Sequence, residues 1–178
     1  NPGPGVLIGK GSPTSVKFGY ASRFPRAYRE ALYVLDWTYG RILSVHLMER
    51  GAGYAGAPEV FLRGRPLNVT DLGFGPDGAM YFVTGGRRTQ SALYRVRHLG
   101  ARGEQPAAPT LQQAARKKLS RLARETRRKL ETFHGETETR NAAKEALAWL
   151  GIPDPRIRYA AVGPAGRDPP PLGAGPRG

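Results

Sequence analysis

The tetrapeptide Ala31-Leu32-Tyr33-Val34 returns as Ala79-Met80-Tyr81-Phe82, 48 residues further on (31 to 79). The alternating run behind the first copy, Arg41-Ile42-Leu43-Ser44-Val45-His46-Leu47, is echoed behind the second by Ala92-Leu93-Tyr94-Arg95-Val96. Each copy is preceded by a glycine-containing run, Lys17-Phe18-Gly19 in one case and Leu72-Gly73-Phe74-Gly75 in the other. Short alternating runs put every second side chain on one face, so each copy reads as several β-strands and not as a helix. The punctuation agrees: Tyr39-Gly40 and Pro76-Asp77-Gly78 are turn sequences, proline presetting φ and glycine supplying a positive φ.

Several strands within a period of 40–50 residues are the signature of a β-propeller blade. Counting strands outward from the axis, the first unit is complete, with strands at 15–20, 31–37, 41–47 and 58–63. The second has strands at 69–75, 79–84 and 91–98 and lacks its outermost one. Glycines in the first strand of each unit suit the crowded centre of a propeller. The fold expected is therefore a β-propeller fragment of about two four-stranded antiparallel blades over residues 15–99. A propeller needs roughly 4–8 blades to cover its sheet faces, so the chain reads as an excerpt. A small antiparallel meander that merely looks repetitive is the alternative.

In such a unit the connections at one end form a common face. It collects Asp36, Trp37, Thr38, Tyr39, Gly40 and Arg41, then residues 63–68, then 85–91. Its arginines suit an anionic ligand, because a guanidinium grips a carboxylate through two parallel hydrogen bonds. Solvated loop arginines are the plain alternative. His46, His98 and His134 fall in or after strands or in a helical connection and read as structural, which leaves the catalytic base unknown and no metal ligands assigned.

After a Pro/Ala linker at 100–110 the period changes. Leu111, Ala115, Leu119, Leu122, Thr126, Leu130 and Phe133 follow one another at intervals of three and four, one stripe on a helix of about six turns. The other faces are strongly basic. A solvated basic face over a packed stripe is favoured over a nucleic-acid or membrane-surface helix, since the stripe lacks bulky aromatics. A second helix is expected from Glu138 to Leu150, stopped by Gly151 and Pro153. Asp154-Pro155 then caps a third short helix at 156–161. Residues 1–14 read as an irregular or disordered lead-in and 162–178 as a disordered Gly/Pro-rich tail.

The 28 Lys+Arg against 14 Asp+Glu leave a net charge of +14. The excess splits evenly, +7 up to His98 and +7 beyond it. A basic surface attracts polyanions without specifying a function. Nucleic-acid binding is disfavoured because no aromatics interleave the basic residues. The absence of cysteine excludes a disulfide scaffold, a thiolate zinc site and covalent c-type haem attachment within this chain. No apolar run approaches the roughly 20 residues of a membrane span, and no signal peptide is legible.

The stretches Phe24-Pro25, Ala31 to Arg41, Pro66-Leu67-Asn68-Val69-Thr70-Asp71, Gly75 to Phe82 and Gly85 to Val96 resemble late propeller blades of bacterial glucose/sorbosone dehydrogenase-like proteins. Leu150 to Ala161 looks like the opening of a HEAT repeat, which follows the propeller in that family. The resemblance covers residues 15–161 and implies a sugar or aldehyde dehydrogenase using pyrroloquinoline quinone (PQQ) with calcium, in the periplasm or cell envelope. It implies that Arg87 and Arg88 are the candidate anchors for a cofactor or substrate carboxylate, with Asp36, Asn68, Asp71 and Gln90 as polar neighbours, and that further blades and a haem c domain lie outside this chain, which would then be inactive alone. A non-catalytic propeller/HEAT scaffold, holding a protein partner through its helical segment at 111–161, is the second reading; a basic nucleic-acid-binding protein is the third.

Overall fold

A computed structural model describes residues 5–100, 108–134 and 140–165. Most of the expected linker, the expected helix start at Glu138 and the tail beyond residue 165 lie outside the described residues. Two compact units are present.

The first unit holds two antiparallel sheets. Strands β1 (Pro13–Phe18), β2 (Leu32–Asp36), β3 (Arg41–Arg50) and β4 (Gly53–Arg63) form one meander. Strands β5 (Val69–Phe74), β6 (Met80–Gly86) and β7 (Thr89–Val96) form the other, and neither sheet closes on itself. The repeat is thus a repeat of sheets: Tyr33 pairs with Lys17 and Ser44, and Tyr81, its counterpart 48 residues on, pairs with Gly73 and Arg95. Sheet length is where sequence reading fell short. β3 and β4 extend to Arg50 and back from Gly53, because Gly51, at φ +55°, allows a tight reversal well beyond the expected strand ends. A single helical turn, α1 (Arg26–Arg29), was not expected; Pro25 precedes it with the extended ψ of 153° that suits entry into a helix.

The strand alternation decides the core. Tyr33, Leu35 and Ile42 from the first sheet meet Leu72, Met80 and Phe82 from the second, with Phe24, Leu67 and Val69 filling in. Aromatic edges complete the contact: Phe24 packs on Tyr33, Phe61 and Phe74 at centroid distances of 5.7–6.4 Å. The opposite face of the first sheet, Val34, Leu43 and Val45, is covered by Val6 and Ile8. These two residues tie the chain ahead of β1 to the sheet.

The second unit combines the turn end of the β3–β4 hairpin, residues 49–54, with α2 (Leu111–Thr132), α3 (Arg140–Leu147) and α4 (Pro155–Ala165). Thr110 and Gln113 form a reciprocal capping box that fixes the start of α2. Asp154 caps α4, accepting from the Arg156 and Ile157 amides. Ala52, Leu130, Ala146, Ile157, Ala160 and Ala161 make the core.

Two helical expectations need correction. α4 runs on to Ala165, past the expected end at 161. Pro164 cannot donate to the Ala160 carbonyl four residues back, and the His134 Nε2–H supplies that bond instead at 2.6 Å. In α2 the leucine stripe is not the packed face. Leu111, Leu119 and Leu122 are 92%, 68% and 50% exposed, whereas Ser120 and Leu130 are buried. The helix is held along the arc through Ser120, Ala123, Arg127 and Leu130, and the stripe joins that arc only in the last turns.

Candidate functional site

The expected face forms. Its three connections, from β2 to β3, from β4 to β5 and from β6 to β7, converge at one end of the paired sheets. Trp37 is the keystone. Its indole Nε1–H donates to the Gly85 carbonyl at 2.9 Å, and its own carbonyl accepts from Asn68 Nδ2 at 3.2 Å. Gly85 N–H in turn donates to the Asn68 carbonyl at 2.9 Å, and Gly64 N–H to Gly40 at 3.0 Å. Gly40 sits at φ +57°, and a Cβ there would lie 2.7 Å from the Gly64 oxygen. Only glycine permits this close crossing of backbones.

Arg87 and Arg88 occupy the two central positions of the β6–β7 hairpin turn, bracketed by the Gly86–Thr89 pair. Both adopt positive φ, 46° and 65°. Such turns favour Asn-Gly, and each non-glycine residue held there costs on the order of 1 kcal/mol. The Arg87 guanidinium lies 5.4 Å over the Trp37 ring. Neither arginine has an acidic partner among the described residues.

Beside Trp37 lies an open depression of about 300 Å3 lined by Thr38, Tyr39, Gly40, Gly64, Arg65, Pro66, Leu67 and Asn68, with the Arg65-Pro66 peptide cis. Of the expected ligand residues only Asn68 lines it. Asp36 is spent on structure: it is buried, ion-paired to Arg41 at 2.8 Å, and accepts from the Ser12 amide at 3.0 Å. Asp71 accepts from Ser15 Oγ at 2.7 Å and from the Leu72 amide at 2.8 Å, and these bonds, the serine's first, hold its carboxyl below the usual range. Gln90 is exposed in β7, one residue beyond the turn pair.

Sequence reasoning missed Ser12 and Ser15 as partners of the two aspartates, and nothing local could have marked them, since they lie 24 and 56 residues away. The left-handed arginine pair was hidden for a different reason: Gly85-Gly86 announces a turn, but its central residues are not of the usual type. The histidines stand elsewhere. His46 Nε2 meets Glu59 Oε1 at 3.0 Å between β3 and β4, His98 follows the far end of β7, and His134 serves α4. Among the described residues no three acidic or histidine side chains converge as a metal site, and none of the helices is long and apolar enough to cross a membrane.

The loop end can therefore offer an exposed guanidinium cluster, an aromatic ring and a shallow depression to a flat anion. No family model matches this chain, and neither a curated protein nor a solved structure does so.

Proposed function

We propose that this chain supplies two neighbouring blades and the HEAT-like helices of a propeller-type dehydrogenase of the glucose/sorbosone class, and that its loop end takes a carboxylate-bearing ligand. In this reading it works in the periplasm or cell envelope. The observation that carries it is the pair Arg87 and Arg88, held in an unfavourable backbone conformation with Arg87 laid on Trp37. Strain kept at a surface turn needs a use, and gripping an anion is the use that suits two guanidinium groups with no acidic partner among the described residues.

The blade reading draws on two further features. The first strands of the two sheets lie side by side, Thr14 Oγ1 donating to the Val69 carbonyl at 2.9 Å and Ser15 to Asp71, as inner strands of adjacent blades do. On the far face of the second sheet Val83 and Leu93 stand opposite each other in register, both exposed, where a following blade would lie.

The carboxylates of PQQ fit the arginines. Calcium does not fit: Asp36 and Asp71 are already bonded to protein groups, and no cluster of three ligands exists among the described residues. No oxidation step is assigned to this chain. The test is a titration of PQQ into the Trp149→Phe variant, which leaves Trp37 as the reporting tryptophan of the two in the chain. Saturable quenching that Arg87→Ala weakens about tenfold or more is expected. Quenching that is absent, or indifferent to Arg87, overturns the ligand assignment.

A non-catalytic binding module is the second reading. It is favoured by His46 and His98, the histidines of the sheet unit, both of which lie away from its loop end, so that this unit offers no base of the usual kind there.

A further inference from the structure

Among the described residues of the helical unit, none packs on the N-terminal half of α2. Every position from Leu111 to Leu119 is exposed among the described residues, and the first buried position is Ser120. Its start is nevertheless fixed by the Thr110–Gln113 capping box. On this half Leu111, Ala115, Leu119 and Leu122 follow at intervals of four, four and three, a single narrow apolar seam. Arg116, Lys117, Lys118 and Arg121 surround it, and this half carries no acidic residue. Arg121 reaches Glu125; Arg116, Lys117 and Lys118 have no ion pair among the described residues.

We infer that this face of α2 docks an acidic amphipathic helix from a partner protein. Seam width and charge together select that occupant. A seam of one side chain per turn matches a second helix, whose own apolar ridge interlocks with it, and Ala115 in the middle allows close approach. A helix lying in a membrane needs a broader apolar face with aromatic anchors, and this one has neither. A second copy of the chain is opposed by charge, because α2 carries eight basic residues against two acidic ones. Glutamates flanking the partner's apolar ridge would meet Lys118 and Arg121 on one side of the seam and Arg116 on the other. This inference is independent of the ligand assigned to the loop end.

The probe is a fluorescein-labelled synthetic helix with leucines at heptad spacing and glutamates on both flanks, read by anisotropy against the full chain. A shuffled peptide of the same composition is the control. The patterned peptide is expected to bind about tenfold or more tighter than the shuffled one, and Leu119→Gln with Leu122→Gln to remove that preference. Glutamine keeps helix propensity, and an unchanged far-ultraviolet circular dichroism spectrum confirms the fold. Three results would each overturn the inference: equal binding of both peptides, a preference that survives the double substitution, or displacement of the peptide by vesicles of phosphatidylcholine and phosphatidylserine. Sedimentation showing a dimer that the double substitution dissolves would do the same, and would assign the face to a second copy.

Discussion

Trp37 and Gly85 hold equivalent places in the two sheets, 48 residues apart, and are joined directly: the indole N–H of one donates to the carbonyl of the other at 2.9 Å. Arg87 closes over the same ring at 5.4 Å. The repeat unit thus meets its own copy at the loop end, and the arginine pair is built onto that junction.

Replacing Arg88 by glycine should stabilise the fold while weakening anion binding. Its φ of 65° is natural to glycine and costly for arginine. The expected gain is several tenths to about 1 kcal/mol, seen as a higher urea midpoint. A lower midpoint would mean that the turn is not strained.

Gly40→Ala should act the other way. The added Cβ meets the Gly64 carbonyl at 2.7 Å in a backbone region with φ of +57°. A loss of about 2 kcal/mol or more is expected from the combined clash and strain. Equilibrium unfolding checks it, and a change within about 0.5 kcal/mol, the range of an ordinary surface substitution, would contradict the crossing of the two loops.

Asp36→Ala should destabilise by about 3 kcal/mol, since it leaves the Ser12 amide and the largely buried Arg41 without their acceptor. Replacing Arg41 and Asp36 together should cost less than the sum of the single changes. Additive losses in that cycle would show that the two do not act as a unit.

Asp154 gives the helical unit an acid limb. Burial pushes its carboxyl up, but the amides of Ala52, Arg156 and Ile157 outweigh that and hold it below the ordinary range. A folded value below the unfolded one means that its contribution is present above about pH 4 and is lost as pH falls through the folded value. Asp154→Asn should therefore lower stability at neutral pH and flatten its dependence below about pH 4. A variant whose acid dependence matches the parent would remove Asp154 from this role.

The helix start at Asp154 was legible because a cap is written within three or four residues, and that of α2 was legible from the change of period at Leu111. So were seven strands, since alternation and turn residues are local. The extent of β3 and β4 was not: Gly51 must leave room for Asp154, whose Oδ2 would stand against any Cβ placed there, and that partner lies 103 positions away (51 to 154).

The sequence by itself determined the strand and helix periods and the turn positions, which follow from neighbouring residues. Only the tertiary structure decided which arc of α2 is buried, and that Asp36 and Asp71 are bound to Ser12 and Ser15. A helix's apolar stripe states what could be covered. Which side is covered depends on the surface that chain closure brings to it, here Ala52, Ala146 and Ile157 against Leu130, and that surface is not encoded within the helix itself.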